Sequence, residues 1–244
     1  MKSDEDAHGH VVYDLHHGIS ATEIVERDDG WIAASPGPSL YLAPFRKWPK
    51  HERAAMKYAR GRVLDVGCGA GRACLYLQRR GQQVVGIDNS PLAIKTARLR
   101  GVRQTRLLSV TSITTRLGTF DTVLMLGNNF GLMGNRKRAR WLLQRFASIT
   151  SADGRIVAAA VDPYDTQDRD HRRYHRHNRS RGRMGGHIRV RVRYGSYCTP
   201  WFDWLLVSRR EMRRLLAGTP WEMERYIESG GPGYVAVIRK NVAT

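Results

Sequence analysis

Residues 63–72 read VLDVGCGAGR: an apolar run that carries Asp65 and leads into three glycines at alternate positions, Gly67, Gly69 and Gly71. Glycines at a strand-to-helix turn permit tight backbone geometry and let a ligand approach main-chain atoms beside a helix N-terminus without a β-carbon in the way. The spacing argues against a dinucleotide fingerprint. Counting GxGxxG from Gly67 puts Arg72 where the third glycine belongs. A second carboxylate, Asp88, stands in GIDNS at residues 86–90. A carboxylate there can accept from two neighbouring donors at once. The plain structural readings are a turn residue for Asp65 and a helix N-terminal charge for Asp88.

Other chemistry-bearing groups are less patterned. His171, His175 and His177 include an HxxxH spacing that can put two imidazoles on one helix face. Arginines 169, 172, 173, 176 and 179 surround them and no cysteine or close carboxylate pair completes a ligand set, so no metal is expected. Candidate proton acceptors are Tyr13, His16 and His17 near the start of the chain, and Tyr164 and His171 further on. Each is more ordinarily a structural or solvent-facing residue.

The elements that must position these groups follow from periodicity. From Arg62 to about Val161 short apolar runs alternate with helical patterns, which predicts βαβ units feeding a parallel sheet. Strands are expected near 62–66, 83–87, 105–108, 120–126 and 155–161, with helices over 70–80, 91–100 and 136–149. Ser90 with Pro91, and Asn135, provide helix start signals. Further on, a helix over 208–217, a strand over 221–228, the turn Gly230-Gly231-Pro232-Gly233 and a strand over 234–239 read as an ending in which the last strand is antiparallel. The expected fold is thus α/β: a Rossmann-like, seven-stranded, mostly parallel sheet with helices on both faces. Residues 1–60 are expected to form a cap, with a possible hairpin over 23–33 and a short helix over 51–60. Residues 61–244 would form the main domain, with a basic insertion at about 162–200.

On these residues the chain resembles the class I S-adenosylmethionine (SAM)-dependent methyltransferases, of the kind grouped as small-molecule methyltransferase domains. The resemblance covers about Arg62 to Val161. It implies that Gly67, Cys68, Gly69 and Gly71 wrap the methionine part of SAM, that Asp65 helps hold its amino group, and that Asp88 accepts from both ribose hydroxyls with Asn89 beside the adenine. Ser109 and Val110 stand where the family often has an Asp near the adenine, and Ser109 reads equally well as a loop residue. FDTVLMLGNNFGLMG at 120–134 is the fourth strand and its exit, where the family places substrate. Gly127, Asn128, Asn129 and Phe130 are therefore expected at the transfer site. Asn128 and Asn129 join Tyr13, His17 and Tyr164 as candidate catalytic residues.

The resemblance implies methyl transfer to a small-molecule or natural-product acceptor, releasing S-adenosyl-L-homocysteine. The methylated atom, O, N or C, is left open. Two alternatives stand beside it. The net charge is +19, and Arg181, Arg183, Arg189, Arg191 and Arg193 extend the basic segment around Tyr174 and Tyr194, which suits RNA or protein methylation. Alternation of those last arginines with Val190 and Val192 is also what a half-exposed strand shows. A SAM-binding protein without catalysis is the other alternative. Three cysteines are too few for a disulfide framework, and no run reaches the roughly 18 apolar residues of a membrane span. A cytoplasmic monomer or homodimer is expected.

Overall fold

The computed structural model describes residues 2–241. Its strands are β1 (Ile24–Arg27), β2 (Ile32–Ala34), β3 (Val63–Val66), β4 (Val84–Asp88), β5 (Thr105–Leu107), β6 (Phe120–Met125), β7 (Thr150–Val161), β8 (His187–Tyr194), β9 (Tyr197–Cys198), β10 (Phe202–Leu205), β11 (Trp221–Glu228) and β12 (Gly233–Lys240). Its helices are α1 (Ala7–His16), α2 (Pro38–Tyr41), α3 (Lys50–Ala55), α4 (Arg72–Arg79), α5 (Pro91–Leu99), α6 (Arg136–Ser148), α7 (Arg169–Ser180) and α8 (Arg209–Leu216). The main sheet has seven strands in the order β11-β12-β7-β6-β3-β4-β5, and a smaller sheet runs β10-β8-β1-β2 with β9 on β8. The expected α/β class is borne out: β4 pairs β5 and β6 pairs β7 in parallel, while β12 is antiparallel to both its neighbours.

The chain groups into two compact units. One takes residues up to Trp48 with Leu64–Ser112 and Arg189–Phe202; the other takes Pro49–Val63, Ile113–Ile188 and the chain from Asp203. In the first unit, β4 is buried at every position, as a strand covered on both faces must be. Helix α5 starts where Ser90 Oγ accepts the Ala93 amide at 2.9 Å with Pro91 in the first turn, and it buries Ala93, Ile94, Thr96 and Ala97. In the second unit, Phe120, Leu124, Phe130, Phe146, Ile156 and Val157 are fully buried. Asn135 caps α6, and a Ser208–Glu211 capping box starts α8.

Three elements depart from the sequence expectation. β7 begins at Thr150, about five residues early, because its first residues pair irregularly: Phe120 lies opposite Thr150 but Thr122 opposite Arg155. The N-terminal stretch before the hairpin and the basic stretch before β8 have no element assigned from the sequence, and both contain helices, α1 and α7. Helix α1 carries Gly9 in its first turn, where glycine lowers helix propensity by up to about 1 kcal/mol relative to Ala. Its helix is fixed by an N-cap that also makes a tertiary contact. Asp6 accepts the Gly9 amide at 3.1 Å and the Leu92 amide at 3.0 Å, tying α1 to the start of α5. A β-carbon at Gly9 would fall 2.4 Å from the Asp6 carboxylate and from Ser90 Oγ, so only glycine permits this approach.

Candidate cofactor site

Strand β3, buried throughout, delivers Asp65 at 3% exposure into the glycine turn. The turn is pinned to β4, since the Gly67 and Cys68 amides both donate to the Ile87 carbonyl, at 2.9 and 3.0 Å. The Gly69 amide donates to Asp88 Oδ2 at 2.9 Å and the Gly71 amide to the Cys68 carbonyl at 2.8 Å. Four amides of the loop are thus engaged inside the protein. The loop is therefore no ready cradle for a phosphate, which would need those N–H groups pointing outward. What it offers is space. Gly69 adopts φ +51°, and a β-carbon there would meet only His8 Nε2, at 3.8 Å. At Gly71, by contrast, a β-carbon would strike Val102 at 2.5 Å, so that glycine serves close packing at the start of α4.

Asp88 is the hub of the loop. Its Oδ1 accepts the Ser90 amide at 2.9 Å, its Oδ2 the Gly69 amide, and its carbonyl the Leu108 amide at 2.8 Å. A carboxylate has about four lone-pair sites, so two backbone donors leave capacity for two hydroxyls. Asn89 beside it is exposed. Ser109 Oγ is engaged with Thr111 Oγ1 at 2.9 Å, and the Ser109 carbonyl with the Ser112 amide; these bonds shape the turn after β5 in which Val110 lies half-buried. Under the loop, Cys74 Sγ donates to Asp65 Oδ2 at 3.2 Å. A hydrogen bond with Cys68, burial and the Asp65 charge together push the Cys74 thiol well up, so it stays protonated as a donor.

Sequence reasoning missed the group that borders the open ground at Gly69. His8, on the first turn of α1, bonds through Nδ1 to Glu23 Oε1 at 2.9 Å, and Tyr41 OH donates to Glu23 Oε2 at 2.6 Å. The His8 and Tyr41 rings meet edge to face. Burial alone would lower the His8 pKa, but the bond and charge of Glu23, with Asp88 and Asp6 behind it, raise it above the ordinary value. Burial likewise opposes the Glu23 charge, yet His8 and Tyr41 hold its pKa below the usual range. Burial and Glu23 push Tyr41 far above 10. Nothing local marks this triad, whose members stand 15 and 18 residues apart with no motif around them.

The other proton-acceptor candidates are engaged locally. His17 Nδ1 bonds the Tyr13 carbonyl at 2.8 Å at the end of α1, and the Lys95 ammonium lies over the Tyr13 ring. His16 has its pKa lowered, by burial and then by His17 and Arg100. Tyr164 OH donates to Glu211 Oε1 at 2.7 Å, and burial with that carboxylate pushes its pKa up to about 12.

In the second unit, the Gly127 amide after β6 donates to Glu52 Oε1 at 2.7 Å, a partner on α3 that the sequence did not flag. Asn128 follows at φ 64°, the one non-glycine at positive φ among the described residues, and its side-chain oxygen has no hydrogen-bond partner there. Asn129 then opens the 3-10 turn Asn129–Met133, in which Phe130 is fully buried. Asn is one of the few non-glycine residues that adopts this left-handed conformation readily, which suits the tight turn leaving β6. Among the described residues, no group of three or more His, Cys, Asp or Glu could hold a metal ion, and no helix is long and apolar enough to cross a membrane.

Comparison with known proteins gives the site its family. Residues 63–154 match a methyltransferase domain. The ubiquinone biosynthesis O-methyltransferase of Xanthomonas oryzae pv. oryzae is 37% identical over 100 residues, 38% of this chain and 41% of that protein. The protein of the same name from Rhodopseudomonas palustris is 28% identical over 124 residues, 49% of this chain and 47% of its own. The chain thus spans less than half the length of these relatives. Over nearly its whole length it is similar to a SAM-dependent methyltransferase from Bacteroides fragilis solved with S-adenosyl-L-homocysteine, with 27% identity, a TM-score of 0.83, and coverage of 98% of this chain and 97% of that one. The CcbJ methyltransferase of Streptomyces caelestis shares the fold at 12% identity and TM-score 0.60, over 82% and 97% of the two chains. With the glycine turn, the carboxylate hub and these likenesses in place, residues 63–154 form a methyltransferase domain, within a chain similar over nearly its whole length to a SAM-dependent methyltransferase, and the cofactor of such proteins is S-adenosyl-L-methionine.

Proposed function

We propose that this chain transfers the methyl group of SAM to a small-molecule acceptor, with a hydroxyl oxygen as the acceptor atom. The observation that carries the reading is the loop: its amides are engaged internally, open ground lies over Gly69, and Asp88 keeps lone pairs for two hydroxyls. In this reading Asp88 binds the ribose, Asn89 with the Ser109-Val110 turn borders the adenine, and Gly67, Cys68 and Gly69 run along the methionine part. Asp65 sits behind them to orient its amino group. The bound cofactor supplies an activated methyl group on a sulfonium; the protein supplies alignment and, for a hydroxyl, removal of a proton. Gly127 and Asn128 are assigned to the acceptor side on the family pattern. The oxygen is favoured because relatives from three genera, with 28–44% identity over their matched stretches, carry the name O-methyltransferase.

Methylation of RNA is disfavoured by charge pairing. Arg191 and Arg193 both bond Glu26, at 2.8 and 2.6 Å, and Arg173 pairs with Asp170. Arginines held by protein carboxylates are less available to phosphates.

A thermal-shift comparison of SAM, S-adenosyl-L-homocysteine, NAD and ATP tests the cofactor reading. A ligand at about 100 times its Kd adds roughly 2.7 kcal/mol to the native state. Stabilisation by the first two alone supports it; a shift with NAD or ATP only overturns it. Transfer of labelled methyl from SAM to a panel of hydroxylated aromatics then tests the acceptor class, and label appearing only on amines or on nucleic acid would refute the oxygen assignment.

A further inference from the structure

We infer that His8, oriented by Glu23, is the general base that takes the proton from a hydroxyl acceptor; this rests on the methyl-transfer reading above. Three observations point the same way. His8 Nε2 makes no hydrogen bond among the described residues, and it is the single group within 4 Å of the β-carbon position at Gly69. Nδ1 is tied to Glu23 Oε1, which fixes the neutral ring as the tautomer with hydrogen on Nδ1 and a lone pair on Nε2. Glu23 is itself fixed by Tyr41, whose hydroxyl takes the second carboxylate oxygen. A base, an orienter and a support for the orienter therefore line up toward the cofactor loop, and the His8 side chain keeps about a third of its surface open (32%) while that of Glu23 keeps 4%.

The step balances without a co-reactant beyond SAM. The acceptor O–H bond breaks with its proton going to Nε2. The freed oxygen pair forms the new bond to the methyl carbon as the carbon–sulfur bond breaks, leaving that electron pair on the thioether of S-adenosyl-L-homocysteine. His8 then returns its proton to water. The charged groups facing His8 are Glu23, from the segment before β1, Asp6 at the start of α1 and Asp88 at the end of β4, with Tyr41 on α2 and Arg72 facing Tyr41. The three carboxylates make His8 a stronger base than a free imidazole, and activity should fall as pH drops through a value above 6.5.

The test uses two phenols of different acidity, unsubstituted phenol and 4-nitrophenol, assayed at a pH where the second is already ionised. His8→Ala and His8→Gln should bind S-adenosyl-L-homocysteine within about threefold of the parent by calorimetry. They should lose on the order of 10² or more in kcat on phenol but only a few-fold on 4-nitrophenolate, with added imidazole restoring part of the phenol rate in His8→Ala. Glu23→Gln should move the acid limb of the rate profile to lower pH. Independently of turnover, nitrogen NMR of the S-adenosyl-L-homocysteine complex should show the neutral ring protonated on Nδ1. Equal losses on both phenols, no loss on either, or a neutral ring protonated on Nε2 would overturn the base assignment. A parent enzyme that methylates amines but no phenol would overturn it too while leaving methyl transfer standing. SAM binding with no turnover of any acceptor would instead sink the methyl-transfer reading itself.

Discussion

The glycine loop with α1 and the basic segment from Asp162 onward hold charge in opposite ways. Around the loop the carboxylates are few and each has assigned partners: Asp6 two backbone amides, Asp88 two more, and Glu23 a histidine and a tyrosine. On α7 charges are many, and Arg169, Arg172, Arg173, Arg176 and Arg179 are all exposed. What α7 buries is Tyr174, His175 and Asn178. The difference teaches that charge density is a poor guide to chemistry, whereas a sparse set of groups with exclusive partners in a low-dielectric setting is a better one.

The largest expected effect falls at Gly69. Gly69→Arg should abolish measurable SAM binding, a loss above about 100-fold, because its side chain enters the open ground that the cofactor needs. The fold should survive, since the left-handed conformation at one residue costs roughly 1–2 kcal/mol. Calorimetric titration beside a melting curve checks both halves. A variant that binds SAM like the parent would move the cofactor elsewhere.

Asp88→Ala comes next and should act twice. It removes the acceptor for the proposed ribose hydroxyls, weakening SAM by about 100-fold. It also strips the Gly69 and Ser90 amides of their charged partner, destabilising the unliganded protein by about 3 kcal/mol. Asp88→Asn should recover part of the stability. Lost affinity with an unchanged melting point would show that the hub role is misassigned.

How far these groups were legible follows from the same contrast. The glycine turn, β4 and the Ser90-Pro91 start of α5 are local devices: a few adjacent residues determine turn, strand and cap, so their pattern survives in the sequence. Helix α7 was not legible because its inward positions, 174, 175 and 178, are filled by Tyr, His and Asn, which leave no apolar stripe at helical spacing. Helix α1 was missed because Gly9 and the β-branched pair Val11-Val12 lower its local propensity, while Asp6 and the contact with α5 supply what propensity does not. The site divides the same way. Asp65, Asp88 and the glycines lie in one continuous motif, whereas His8, Glu23 and Tyr41 meet only through tertiary structure, and Glu52 reaches Gly127 from 75 residues away.

Within the basic region the contrast sharpens at Asn178. Its side-chain amide donates to the Gly185 carbonyl at 3.0 Å and the His187 carbonyl at 2.7 Å, joining α7 to the start of β8. Asn178→Ala should lower stability by about 2 kcal/mol, or about 4–8 °C in Tm, with SAM affinity unchanged. Replacing exposed Arg176 with Gln should leave both within error, since a surface charge of this kind contributes little. An Arg176 effect as large as that of Asn178 would mean that the segment's charge, not its buried amide, does the structural work.

The smallest measurable effect is expected at Glu26, where the basic stripe meets a carboxylate. Hydrogen bonds from Arg191 and then Arg193 hold its pKa down to about 2, against 4.5 for an unperturbed glutamate. A folded-state value below the unfolded one means that the pair stabilises fully above pH 4.5 and stops doing so as pH falls from there through about 2. Because its arginine partners stay partly open to water, screening reduces that contribution, and Glu26→Gln should lower the melting temperature at pH 7 by no more than about 1–2 °C. The gap between variant and parent should narrow as pH drops from 5 toward 2 and shrink further in high salt. A gap at pH 7 as wide as that of Asp88→Ala, or one that ignores both pH and salt, would show that the arginine stripe is built into the protein as firmly as the cofactor loop, and the contrast between the two regions would fail.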